Sequence, residues 1–226
     1  MWKGGECWVI GGGPSVPRLF GVPDEIVKAV HRKELGIDAY SPYLSAIHDK
    51  HIIGVNTAYM LGDWVDVVTF GDIQFYLEHA QRLLNFRNIK VSIHERACSG
   101  QPGCHHIKYV PQDTQQPTGL TDRKYFVSWN KHSGAGAINL ALHFGCKRVY
   151  LLGFDMKLDM NGKSHSHAEY FRDGFPKYGK NLPYAKHLSM YPHIARDAKR
   201  HGMEILNVND DSAIQDLPMV SLEDVL

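Results

Sequence analysis

The chain has 226 residues, 43% of them hydrophobic, with 25 Lys+Arg against 24 Asp+Glu for a formal net charge of +1. That length suits one α/β domain over residues 1–226, and a charge balance without blocks of like sign excludes a nucleic-acid arm or a basic membrane patch. No apolar run approaches the ~20 residues of a bilayer span, no signal peptide is recognisable, and the 4 cysteines fit a reducing compartment, so a cytoplasmic location is expected.

The first expected strand, ECWVIGG at 6–12, runs into Gly11, Gly12, Gly13, Pro14 and Ser15. Glycines after a first strand let the backbone approach a phosphate or sugar with no Cβ in the way, and a helix start beyond them offers N–H groups. The dinucleotide fingerprint is only half met: Val16 stands at its third glycine, Pro14 removes a donor, and Asn56 occupies the position of the ribose-binding acid. An NAD dehydrogenase is therefore not expected. Apolar residues at helical spacing predict a helix over 23–34, and HIIGVN at 51–56 reads as a strand ending in Asn56 and Thr57.

VDVVTFGD at 65–72 predicts a third strand ending at Gly71-Asp72, followed by a helix over 73–86 and a strand over 88–95. Cys98, Cys104, His105 and His106 crowd into CSGQPGCHH, but their spacing matches no zinc template, so 98–131 reads as loop with a short strand at HIKYV, and no metal ligand is assigned. SGAGAINLALHFG at 133–145 reads as a helix capped by Ser133 and closed by Gly145, and CKRVYLLGFDM at 146–156 as a strand leading to Asp155. A helix over 182–202, kinked or split by Pro192, and a strand over 203–209 complete the pattern.

Strands alternating with helices predict a Rossmann-like α/β fold: a mostly parallel sheet, helices on both faces, and ligands beyond the carboxyl ends of the strands. Each candidate site residue falls at such an end. Ser133, Gly134 and Ala135 at a helix start offer backbone donors to a phosphate. Residues 157–181, rich in His, Gly and Lys, are expected to be a partly exposed lid. Within it, His165 and His167 are candidate general bases, with His187 as the other choice, since imidazole titrates near pH ~6.5. Tyr170, Tyr178 and Tyr184 are candidate partners of a departing phosphate. Asp72 and Asp155 could hold a sugar hydroxyl, orient a histidine or bind Mg²⁺, though two acids make a weak metal site.

The ordered set VIGGGPSV, IIGVNTAY, VDVVTFGD and HSGAGAINLALHFGCKRVYLLGFDM resembles a superfamily of bacterial lipooligosaccharide sialyltransferases, archaeal 6-hydroxymethylpterin diphosphokinases and phage-encoded proteins. The resemblance implies a CMP-linked sugar donor contacted by Gly13, Pro14 and Ser15, by Asn56, and by Ser133 and Gly134, and a catalytic histidine before the last long helix. It implies a glycosyltransferase with no required cofactor, a hydroxyl-bearing acceptor, and a setting in a bacterium or a phage-infected host. Two alternatives stand beside it. One is a Mg²⁺-dependent diphosphokinase, although VTFGDIQF replaces that family's acid-rich segment; the other is a non-catalytic nucleotide-binding or virion-associated protein. A homo-oligomer is left open.

Overall fold

The computed structural model describes residues 1–110, 119–169 and 183–226. In chain order the elements are β1 (Glu6–Ile10), α1 (Ser15–Leu19), α2 (Asp24–His31), a 3-10 segment (Ile37–Ile47), β2 (Ile52–Val55), a second 3-10 segment (Asn56–Leu61), β3 (Val67–Phe70), α3 (Ile73–Asn85) and β4 (Ile89–Ser92). There follow α4 (Glu95–Ser99), β5 (Cys104–His106), β6 (Lys108–Tyr109), β7 (Phe126–Val127), α5 (Ser133–Phe144), β8 (Arg148–Leu152), α6 (Tyr184–Leu188), α7 (Tyr191–Arg200) and β9 (Glu204–Asn207). Among the described residues seven strands form one sheet in the order β5-β4-β3-β2-β1-β8-β9, every pair parallel, and β6 pairs with β7 apart from it.

The sheet is buried on both faces, which is why its strands read as unbroken apolar runs. Side chains alternate across a strand, so Cys7 and Val9 of β1 enter one core with α5 and α7 while Trp8 and Ile10 enter the other with Tyr40, Leu44 and Phe75. Helix α5 is buried from Gly134 to Ala141, which its run of small residues permits, and it ends at Gly145 in the left-handed conformation with φ 86°. Chain order reverses at β1, whose neighbours are β2 and β8, so the crevice at the carboxyl ends of β1 and β8 is the switch point where such sheets bind ligands.

The expected elements are present, with three differences and the expected split of the C-terminal helix. The 3-10 segments carry no clear 3.6-residue period, and the first has Pro42 in its interior. CSGQPGCHH is not all loop: Cys104–His106 is the edge strand β5, paired with Lys90–Ser92. The cap of α5 is His132, whose side chain accepts from the Ala135 amide, and Ser133 is already helical. The long C-terminal helix is divided into α6 and α7, with Pro192 in the first turn of α7, where its missing N–H is tolerated. No helix among the described residues is long and apolar enough to cross a membrane.

The turn after β1 is tightly packed. A Cβ on Gly13 would lie 1.8 Å from Asp155 Oδ2 and 2.5 Å from the Gly153 carbonyl oxygen, and one on Gly11 would lie 2.8 Å from that same oxygen. Gly13→Ala is therefore expected to destabilise the fold by about 1–3 kcal/mol in urea titration, the usual cost of overpacking a filled site; unchanged stability would show that the strand ends separate easily.

Candidate functional site

A cavity of about 530 Å³ opens at the carboxyl edge of the sheet. It gathers residues from many parts of the chain: Gly11, Gly12 and Gly13 after β1, Asn56 after β2, Asp72 after β3, Ser133 and Gly134 opening α5, Asp155 after β8, and His165 and His187. Pro14, Ser15, Thr57, Ala135 and His167 are not among its walls. Ser15 and Thr57 are buried behind it, each at 2% exposure, and Ala135 is wholly covered.

The glycine turn, expected as a phosphate cradle, lines the cavity with most of its amides already engaged. Its amides are spent on the neighbouring strand end: Gly11 N–H donates to the Leu152 carbonyl at 2.8 Å and Gly13 N–H to the Gly153 carbonyl at 3.0 Å. Ser15 donates from its amide to Asp155 Oδ1 at 3.1 Å and from its hydroxyl to Asp155 Oδ2 at 3.0 Å. Pro14 has no N–H, so of Gly11 to Ser15 only Gly12 has an amide without an acceptor among the described residues. The space beside Gly12 is taken by His165, whose Cδ2 would lie 2.9 Å from an added Cβ. Here the glycines admit protein neighbours.

Asp155 is correspondingly a strap. It is 8% exposed and also accepts from Asn209 Nδ2 at 3.3 Å, and burial raises its pKa despite the two bonds from Ser15. Asp72 lies on the cavity wall but caps α3 by accepting from the Gln74 amide at 2.8 Å. Among the described residues no group of three or more His, Cys, Asp or Glu side chains is placed to hold a metal. Asn56 differs: it adopts φ 51°, a left-handed conformation that Asn tolerates, and its buried Oδ1 has no hydrogen-bond partner among the described residues.

The histidines separate into distinct roles. His167 is 2% exposed; its Nδ1 accepts from the Glu169 amide at 3.2 Å, so the proton sits on Nε2 and is donated to Thr57 Oγ1 at 2.8 Å. Both ring nitrogens are thus engaged, and burial holds its pKa well below the ordinary value. His165 lines the cavity with Nδ1 2.9 Å from Ser164 Oγ, its ring centroid 5.5 Å from that of His167. Burial, helped by the His31 charge, pushes His165 down to about 4. His187, half-buried on the cavity wall, is also lowered, chiefly by burial.

Among the wall residues that sequence reasoning passed over are Trp129 and His132. Trp129 lies against Gly71 and Gly136, where an added Cβ would stand 1.9 Å and 2.6 Å from its ring. His132, in "WNKHSGAG", caps α5 and packs its ring 4.8 Å from that of His187; burial and the His187 charge push it down to about 3. The segment expected as a lid is divided. Residues 160–163 are exposed, but Ser166 and His167 are buried, with Ser166 N–H donating to the Gly12 carbonyl at 2.8 Å and Tyr40 Oη to the Ser166 carbonyl at 2.6 Å. Residues 170–181, with Tyr170 and Tyr178, lie outside the described residues; Tyr184 is on the cavity wall.

No protein-family model matches the chain, and no curated protein matches it significantly. Among solved structures it is similar to the MAf glycosyltransferase from Magnetospirillum magneticum AMB-1, with a TM-score of 0.59 and 15% identity over 98% of this chain and 34% of that one. The chain thus spans about a third of that structure's length, and at this identity the likeness establishes a common fold. It does not single out the sialyltransferases or the diphosphokinases.

Three histidines held neutral by burial make stability pH-dependent. His132, His165 and His167 have folded values below the 6.5 of the unfolded chain, so the unfolded state binds more protons as pH falls through 6.5. Their contribution is complete above pH 6.5 and is lost towards pH 4, at up to about 1.4 kcal/mol per pH unit for each group. Asp155, shifted upwards, contributes with the opposite sign, while His31 and His187, also lowered, add to the effect of the three. Urea midpoints are expected to fall steeply from pH 6.5 to 4.5, and less steeply for His165→Gln; a flat profile would contradict the burial of these rings.

Proposed function

We propose that the chain is a glycosyltransferase-like enzyme that moves a sugar from a nucleotide-sugar donor to a hydroxyl acceptor, with a histidine of the cavity as general base. One observation carries the reading: the switch-point cavity combines an Asn56 Oδ1 that has no partner among the described residues with imidazoles held neutral, which suits a polar ligand and an acceptor proton. The fold shared with a glycosyltransferase supports it, and the motif resemblance favours a cytidine-linked donor. Asn56 and the start of α5 would hold the nucleotide. A second cavity of about 470 Å³, lined in part by Lys33, His79 and Arg82, shares Glu78 with the first and gives the acceptor a side from which to approach.

In the transfer, the acceptor oxygen attacks the anomeric carbon while that carbon's bond to the phosphate oxygen breaks, and the nucleotide leaves with the bonding electrons. The acceptor proton passes to His165 or His187, which line the cavity, whereas His167 with both nitrogens engaged positions its neighbour. The Mg²⁺-dependent diphosphokinase reading would require Asp155 to give up Ser15 and Asn209, and the fold with them.

The test offers CMP-, UDP- and GDP-linked sugars with an acceptor panel, with and without EDTA, and follows release of the nucleotide. Transfer from one donor class in EDTA is expected, and a ligand at 100-fold its Kd should add about 2.7 kcal/mol of stability. Replacing the base, His165→Ala or His187→Ala, should lower kcat about 10²–10⁴-fold with nucleotide affinity nearly unchanged. Nucleotide binding without transfer would favour the non-catalytic reading, and dependence on Mg²⁺ and ATP would favour the diphosphokinase.

A further inference from the structure

At the start of α5 the described residues leave a buried donor without an acceptor. His132 takes the Ala135 N–H on Nδ1 at 3.2 Å, and a ring nitrogen that accepts carries no proton, so in the neutral ring the proton is on Nε2. That Nε2 is buried and has no hydrogen-bond partner among the described residues, although a buried N–H normally has one. His132 lines the cavity beside Ser133 and Gly134, whose amides open the helix and have no acceptor among the described residues. The two residues before it, Asn130 and Lys131, are both left-handed, with φ of 46° and 66°, so this corner is held in an uncommon backbone.

We propose that His132 binds the donor's phosphate by hydrogen bonding from its Nε2–H, in line with the Ser133 and Gly134 amides. The proposal rests on the nucleotide-sugar reading of the same cavity and moves the anion subsite from the glycine turn, whose amides are spent, to α5. The proton stays on Nε2 throughout; the ring supplies a donor and no acid. A neutral donor is compatible with its neighbours, because a cation here would face the positive end of α5 and the ring of His187. The competing occupant is a buried water bridging Nε2 to the Tyr191 hydroxyl, which is itself buried without a partner among the described residues, its ring 5.6 Å from that of His132.

His132→Asn tests this, because Asn is a strong cap that places Oδ1 where Nδ1 accepts but ends one bond short of Nε2. Calorimetric titrations of CMP, UDP, inorganic pyrophosphate and the phosphate-free nucleosides cytidine and uridine are compared. The variant is expected to keep its urea midpoint and its nucleoside affinity while losing about 10- to 100-fold in affinity for the phosphorylated ligands, as removal of a hydrogen bond to a charged group should. Unchanged nucleotide affinity would overturn the proposal in favour of the bridging water, and equal losses for nucleoside and nucleotide would overturn it in favour of a purely structural cap. If the variant does not fold, ¹⁵N-histidine spectra of the native chain decide: the Nε2–H signal should shift with CMP or pyrophosphate and not with cytidine, and a signal unmoved by either overturns the proposal. Failure of the native chain to bind any of these ligands would remove the nucleotide-sugar reading together with this one. Binding that survives His132→Asn removes this inference alone.

Discussion

The carboxyl ends of β1 and β8 are joined by contacts that allow no side chain between them. Gly13 gives its amide to Gly153, Gly11 gives its own to Leu152, and Asp155 draws in both the amide and the hydroxyl of Ser15. The partners are distant in the chain, with 140 positions between Ser15 and Asp155, so this junction closes the two halves of the sheet across its switch point. The rest of the site is positioned by it: the Gly12 carbonyl receives the Ser166 amide and so places His165 and His167 behind the turn. A carboxylate buried at 8% exposure is costly unless hydrogen-bonded, and Asp155 meets that condition through groups that are unavailable to a ligand.

Because the turn is spent on structure, the cavity's polar capacity has to come from elsewhere. It comes from the ends of β2 and α5, where Asn56 Oδ1 and His132 Nε2 are buried without partners among the described residues. Two such buried atoms cost stability, and a polar ligand that met them would recover it. Backbone conformation points the same way, since Asn56 and Lys131 on the cavity wall are left-handed non-glycine residues, as is Asn130, buried next to Lys131. Packing over-determines such conformations, and here Asn130 does so with Nδ2 bonds to the Gly119 and Ser128 carbonyls at 2.6 and 3.1 Å.

Much of the fold was readable because a parallel sheet covered on both faces writes itself as largely apolar runs, as in VYLL at 149–152, and because Gly145 closes α5 in the way its sequence announces. The placement of the site was readable for the same reason: strand ends face one edge. What a glycine is for was not. Whether the gap beside Gly13 holds a ligand or Asp155 depends on a residue far along the chain, and local sequence carries no trace of that distance. The α5 cap shows a subtler limit: Ser outranks His in intrinsic preference, but the His132 ring can both reach the Ala135 amide and pack against Tyr191. Tertiary contact decided what propensity ranked otherwise.

The histidines of this edge are arranged as a graded series. His167 has both nitrogens committed to Thr57 and the Glu169 amide, His132 has its tautomer fixed by one amide, and His165 and His187 line the space itself. Burial keeps all four less basic than an exposed imidazole, and charge on one ring makes another harder to protonate, as His187 does for His132 across 4.8 Å and His165 does for His167. A base held that low accepts a proton poorly in the ground state. In the proposed transfer it would become effective when negative charge is nearby to stabilise the imidazolium, and the phosphate of a departing nucleotide would bring that charge as the acceptor proton is released. On the proposed reading, the low basicity of these rings would tie proton acceptance to the presence of the donor, which an exposed histidine could not do.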